Sequence, residues 1–209
     1  MNELILERRA QARRGLLLSW ATLGYNSLEA GLALPAAAMA GSVALVGFGA
    51  DSIIEVAAAA VALWRLHADA DPARRAYAER VSLRLIGASF LLLAAYVTLE
   101  SLRVLWLRHT PDYSLLGIVV AAGSVLVMPL LARAKRKVAL AMSSSALHYE
   151  ANQTMLCTFL SAILLGGLLL HALFGWWWAD PLAALVMAPI IAREGWDAFR
   201  GRPCACCLH

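Results

Sequence analysis

The feature that most constrains this chain is an apolar stretch, Val43 to Trp64, that carries two carboxylates, Asp51 and Glu55, near its middle. As a helix the stretch is about 33 Å long, which is enough to cross a bilayer. A carboxylate at the centre of a membrane helix costs about 2.5–3.5 kcal/mol on insertion scales, and such residues usually have a function. Asp51 and Glu55 are four residues apart, so they share one helix face and can bind one ligand together.

The alternative is that the two acids are structural, either protonated or paired with a basic residue of another helix. At matching depth the other apolar stretches offer only Arg103, and Glu100, three residues before it, is a closer partner. We expect Glu100 and Arg103 to form an ion pair within their own helix. Asp51 and Glu55 are therefore interpreted as a site on an ion path.

The composition indicates an all-α integral membrane protein. Of the 209 residues, 61% are hydrophobic and only 15% are charged, and the mean hydropathy is +0.68. These values are outside the range of soluble domains. The apolar residues form six blocks, each long enough to span a bilayer: Leu16–Ala38, Val43–Trp64, Val81–Leu107, Ser114–Ala132, Glu150–Phe174 and Asp180–Phe199.

The basic residues predict the orientation of these six spans. Sixteen of the 18 lysines and arginines lie before the first span, in or beside the joints after the second and fourth spans, or around the end of the sixth. The positive-inside rule then places both termini in the cytoplasm of a multi-pass cell-membrane protein. Since the basic pI follows from this bias, it does not indicate nucleic-acid binding. The basic run 133–137 is interpreted as an orientation signal that meets anionic headgroups.

Three segments follow from this pattern. Residues 1–15 are expected to form a cytoplasmic interfacial lead-in, residues 16–200 a six-helix transmembrane transport domain, and residues 201–209 a Cys-rich cytoplasmic tail. The tail carries thiols and an imidazole that could collect a metal ion, be acylated in part, or have no role: Cys204, Cys206, Cys207 and His209. Asp180 and Pro181 are expected to start the sixth helix as its N-cap and first residue.

Two further spans carry polar residues at a depth similar to that of the acids. Asn26 and Glu29 lie about one turn apart in the first span, where they either join the acidic cluster or only bond helices together. Gln153 and Cys157 lie four residues apart in the fifth span. A lone membrane cysteine is usually a small hydrophobic residue, but its spacing from Gln153 makes it a candidate ligand.

With these residues in view, the sequence resembles the transmembrane portion of the cation diffusion facilitators, which are divalent-metal/proton antiporters, over nearly its whole length. The matching motifs are Gly41-Ser42-Val43-Ala44-Leu45, Asp51-Ser52-Ile53-Ile54-Glu55 and Trp178-Ala179-Asp180-Pro181-Leu182-Ala183-Ala184. The resemblance implies a Zn²⁺ site with two acids on helix two and a His and an Asp, four apart, on helix five. It also implies a cytoplasmic C-terminal domain in the common members, and we expect this protein to be a short, divergent member without that domain.

The fifth span departs from that family pattern, and the family's His and Asp positions can be aligned with it in two registers. His148 and Asn152 would keep the histidine but lie at the membrane edge. Gln153 and Cys157 match the spacing back from the Trp-Ala-Asp-Pro motif and the depth of the acids, so we prefer them.

The sequence therefore predicts a divalent-cation transporter, with Zn²⁺ and protons as transported ions and no cofactor. Its site consists of Asp51, Glu55 and Cys157, completed by further polar side chains: Gln153, Glu29 or Asn26. Export from the cytoplasm is implied by the resemblance, and any homodimer would form through the membrane helices. The first alternative is a non-transporting assembly or sensor subunit whose polar residues only pair helices. The second is a channel or transporter for another cation, and an enzyme is not expected.

Overall fold

A computed structural model of the chain describes residues 2–67, 72–108, 112, 114–142 and 145–200. These residues form six helices: α1 (Asn2–Ala40), α2 (Val43–His67), α3 (Pro72–Leu107), α4 (Leu115–Met142), α5 (Ser145–Phe174) and α6 (Ala179–Phe199). The expected all-helical class is confirmed, and each predicted apolar stretch overlaps one helix, although several of the helices are longer than the stretch. Residues 2–15 continue directly into the first span as part of α1.

Three stretches of the described residues are long and apolar enough to cross a membrane. They have mean hydropathies of 1.6, 2.5 and 2.1, and they lie in α3, α4 and α5: Gly87–Leu107, Leu115–Ala141 and Ala151–Phe174. The surface supports the same conclusion, because large apolar side chains are exposed on every helix, from Leu17 on α1 to Val186 on α6. An exterior with so many exposed apolar side chains fits contact with lipid.

Four helices form a closed ring, and the other two lie against it. In the ring α1 packs on α2 and α4, and α5 packs on α2 and α4. Helices α3 and α6 pack most extensively on each other, and this pair attaches to the ring through α2 and α5. Helix α2 therefore contacts α1, α3, α5 and α6, which places its polar face inside the bundle.

Glycines allow α3 and α6 to approach each other at backbone distance. A Cβ atom added to Gly87 would lie 2.5 Å from the backbone nitrogen of Phe199 and 2.6 Å from the carbonyl oxygen of Gly195. A Cβ atom on Gly195 would lie 2.8 Å from Cβ of Phe90. Small residues of this kind permit the close helix contacts that stabilise membrane bundles.

The short connection between α1 and α2 is built from two capping motifs. Gly41 adopts a φ of 64°, and the Ser42 N–H donates to the Ala37 carbonyl at 3.3 Å, which is the pattern of a Schellman C-cap. The Ser42 hydroxyl then accepts from the Leu45 N–H at 3.1 Å and so caps the start of α2. Because only Gly41 and Ser42 connect the two helices, α1 and α2 must be antiparallel neighbours.

The predicted ion pair on α3 is confirmed. Arg103 Nη1 lies 3.1 Å from Glu100 Oε1, one turn away on the same helix. The Arg103 side chain is 66% exposed, so the pair lies at the surface of the bundle and does not involve the buried acids of α2.

Candidate cation site

Three potential ligand atoms meet between α2 and α5. A carboxylate oxygen of Asp51, a carboxylate oxygen of Glu55 and the sulfur of Cys157 all lie within 4.8 Å of one another. The three residues are 1%, 5% and 0% exposed. Two carboxylates and a thiol are thus gathered at one point in the interior of the bundle.

Helical periodicity explains why these particular residues meet. Asp51 and Glu55 are one turn apart on α2, so their side chains leave the helix on the same face. Helices α2 and α5 pack directly on each other, and Cys157 lies on the face of α5 that is buried in this contact. Gln153, one turn before Cys157, is also buried, at 5% exposure.

Asn26 of α1 is hydrogen-bonded to the acidic pair. Its Nδ2 group donates to Glu55 Oε2, and the whole residue is buried. Its amide oxygen Oδ1 has no hydrogen-bond partner among the described residues, and the same holds for Nε2 of Gln153. Buried polar atoms normally have partners. Asn26 Oδ1 is an acceptor that could contact a bound cation or a water, whereas Gln153 Nε2 is a donor that could bind a water.

Glu29 is attached to the same region through a different contact. Its Oε2 accepts from the Ser52 hydroxyl at 2.8 Å, and this hydroxyl also lies 3.2 Å from the Phe48 carbonyl. Glu29 is 3% exposed, and its Oε1 has no hydrogen-bond partner among the described residues. It lies outside the group of three ligand atoms that are mutually within 4.8 Å.

The alternative register of α5 is only partly visible. Asn152 is half-buried, and its Nδ2 lacks a hydrogen-bond partner in the described part of the chain. The side chain of His148 lies outside the described residues, and so do the tail residues that could collect a metal: Cys204, Cys206, Cys207 and His209.

Lys135 is a functional candidate that the sequence interpretation missed. It belongs to the basic run 133–137, yet it is 2% exposed, and its Nζ lies 3.3 Å from the Thr154 hydroxyl of α5. Helix α4 continues to Met142, so Lys135 follows the buried residues Met128 and Ala132 at helical spacing. In the sequence, this helical spacing from apolar residues indicated that Lys135 lies on the buried face of α4. The structure therefore places a lysine amine inside the bundle, next to α5.

Asp180 has a different role from the predicted one. Helix α6 begins at Ala179 with Trp178 as its N-cap, and no side chain caps it, so the expected N-cap role was wrong. Asp180 instead accepts hydrogen bonds from the Ser42 hydroxyl and, at 3.0 Å, from the Val43 N–H. Its carboxylate thus lies at the N-terminus of α2, where the helix dipole favours negative charge. This contact ties α6 to the helix that carries Asp51.

A helical bundle with an apolar exterior and acids buried on facing helices has the architecture of a membrane transport protein. The comparison with known families agrees, since residues 19–201 match the cation efflux transmembrane domain. The chain therefore belongs to the cation efflux family, whose members are transporters and not enzymes.

One relative is the Uncharacterized transporter sll1263 of Synechocystis sp. (strain ATCC 27184 / PCC 6803 / Kazusa). It is 29% identical over 170 residues, which cover 78% of this chain and 55% of the relative. The chain thus spans about half the length of this curated relative.

Proposed function

We propose that this chain is a divalent-cation transporter that binds its substrate between α2 and α5 and exchanges it for protons. The observation that carries the proposal is the approach of Asp51, Glu55 and Cys157 to within 4.8 Å inside the bundle of a cation efflux protein. Polar groups of this kind are costly in a membrane and are retained where ions pass.

The donor set indicates the class of ion. Carboxylate oxygens suit many divalent ions, whereas a thiolate favours soft or borderline ions such as Zn²⁺ and Cd²⁺ over Mg²⁺ and Ca²⁺. Three protein ligands leave a fourth tetrahedral position, which the amide oxygen of Gln153 or Asn26 could supply. We infer Zn²⁺ as the substrate.

Charge balance gives the reason for proton exchange. Without an ion, two carboxylates and a thiolate would place three negative charges in a region of low dielectric, more than the buried Lys135 amine can balance, so protons must neutralise the ligands when the ion leaves. Binding requires that the ligands lose protons, and protonation of the same ligands releases the ion. Glu29, one helix away and joined to α2 through Ser52, is suited to hold one of these protons without binding the ion itself.

The proposed membrane topology has six spans with both termini in the cytoplasm, and the proposed direction of transport is export. The uneven distribution of lysines and arginines among the joints supports this orientation. Arg14 and Lys137 also line one cavity, which brings the N-terminal part of α1 and the C-terminal part of α4 to the same side of the bundle. Any homodimer would form through the exposed apolar faces of the membrane helices.

The test is Zn²⁺ uptake into proteoliposomes that carry a pH gradient. Wild type is compared with Asp51→Asn, Cys157→Ser and, as a matched control, Asp112→Asn, whose carboxyl group is exposed outside the cluster. We expect Asp51→Asn to abolish uptake and Asp112→Asn to leave it unchanged. For Cys157→Ser we expect Cd²⁺ affinity to fall more than Zn²⁺ affinity, by at least about tenfold, because a hard oxygen replaces a soft sulfur.

Each remaining outcome selects an alternative. If Cys157→Ser keeps full uptake and the ratio of its Cd²⁺ affinity to its Zn²⁺ affinity is unchanged, Cys157 is not a thiolate ligand. If folded wild-type protein moves no divalent ion at any gradient, the hydrogen bonds of Asn26 and Glu29 only pair helices, and the non-transporting subunit becomes the better interpretation.

A further inference from the structure

A second polar site lies away from the acidic cluster, at the end of the bundle where α1 begins and α4 ends. A cavity of ≈ 550 Å³ opens there between the two helices, and Gln11, Arg14 and Lys137 line it. Both basic side chains are exposed. The volume lies within the range of about 300–1,000 Å³ that is typical of small-molecule sites.

The rest of the cavity wall is aliphatic. It consists of Leu17 and Leu18 on α1 and Ala134 and Val138 on α4. Leu17 is 69% exposed on the outer face of α1, where a membrane would supply acyl chains. The cavity thus combines two positive charges and an amide with an apolar wall that is continuous with the exterior of the bundle.

We propose that this cavity binds the headgroup of one anionic phospholipid. Arg14 and Lys137 would hold the phosphate, Gln11 would donate to a headgroup oxygen, and the aliphatic wall would contact the first part of the acyl chains. Arginine and lysine side chains bind phosphate oxygens well, and basic pockets between helices on the cytoplasmic side are suited to lipid headgroups.

The mixed wall explains why a lipid is favoured over a free phosphate ion. A free anion would use the two cations but would leave the aliphatic side chains facing water, whereas a lipid covers both parts at once. The proposal does not depend on the cation site, because none of the residues that line this cavity belongs to the Asp51–Glu55–Cys157 cluster.

The experiment is native mass spectrometry of the full chain in detergent, titrated with dioleoyl phosphatidylglycerol or dioleoyl phosphatidylcholine. The test variant is Arg14→Gln with Lys137→Gln. The matched control is Arg133→Gln with Arg136→Gln, which removes two exposed charges from the same basic run but none from the cavity.

We expect wild type to bind one phosphatidylglycerol molecule in preference to phosphatidylcholine. The cavity variant should lose affinity roughly 25-fold, from about a fivefold loss per cation, and the control should lose less than about fivefold. Arg14→Lys with Lys137→Arg keeps both charges and should retain binding, which separates loss of the site from loss of the fold.

Three results would overturn the proposal. Equal losses in the cavity and control variants would mean general attraction to a basic surface, and equal binding of phosphatidylcholine would mean that charge plays no part. Full displacement of the lipid by glycerol 3-phosphate at similar concentration would show that the cavity selects a free anion.

Discussion

The contact between Asp180 and the start of α2 can be tested by Asp180→Ala. Asp180 is 2% exposed and accepts two hydrogen bonds, from the Ser42 hydroxyl and from the Val43 N–H at 3.0 Å. A hydrogen bond to a charged group contributes about 1.5–3 kcal/mol, so removal of both should cost about 3–6 kcal/mol of unfolding free energy. For a protein of about 200 residues, 1 kcal/mol corresponds to roughly 2–4 °C in Tm, so we expect Tm to fall by at least about 6 °C.

The assay is thermal unfolding of the purified chain in detergent, followed by circular dichroism. Asp180→Asn keeps one accepting oxygen and should lose about half as much stability, since its NH₂ group cannot accept the second bond. Asp112→Ala is the control, because the Asp112 side chain is exposed and its backbone N–H, which the substitution keeps, donates to the Ala40 carbonyl at 2.7 Å. Its Tm should stay within about 2 °C of wild type.

A double-mutant cycle assigns the effect to the contact itself. Asp180→Ala combined with Ser42→Ala should show a coupling energy of at least about 0.5 kcal/mol, because the two residues share one hydrogen bond. If Asp180→Ala unfolds within 2 °C of the Asp112→Ala control, the carboxylate does not hold α6 to α2, and our account of how α2 is positioned is refuted.

Two other contacts give sharp expectations in the same unfolding assay. Gly87→Ala should lower the free energy of unfolding by about 1–3 kcal/mol, because the new Cβ meets backbone atoms of α6 that cannot move aside. The control is Gly31→Ala, which has open space around it and should be neutral or stabilise the protein by up to about 1 kcal/mol. An equal effect of the two substitutions would contradict the close crossing of α3 and α6. Thr154→Val should cost about 1.5 kcal/mol by removing a 3.3 Å hydrogen bond of the buried Lys135 amine, and Thr154→Ser should restore it. A valine variant as stable as the serine variant would show that this hydroxyl does not stabilise the lysine.

The helices could be predicted from the sequence because their signals are local. Apolar runs of sufficient length, separated by polar joints, gave six helices, and the i, i+4 spacing of Asp51 and Glu55 gave their common face. The spacing of Glu100 and Arg103 likewise gave their ion pair. None of these conclusions needs to know which helix packs on which.

The surroundings of the buried groups could not be predicted in the same way. Lys135 belongs to a basic run that predicts a side chain at the protein surface. It is buried because its face of α4 is directed toward α5. Asp180 stood in a sequence that suggests an N-cap, yet its carboxylate reaches across to Ser42 on another helix. Glu29 had the right depth to be a ligand, but its carboxylate binds Ser52 and stays outside the group of ligand atoms.

The sequence by itself thus determined the helical class of this chain and predicted which of its residues could bind a cation. Only the tertiary structure decided that Lys135 and Asp180 lie inside the bundle, and that Glu29 stays outside the group of ligand atoms formed by Asp51, Glu55 and Cys157. The physical reason is that periodicity along a helix is set by neighbouring residues, whereas the partner of a buried polar group depends on which helix faces come together. That choice is made by packing over the whole bundle.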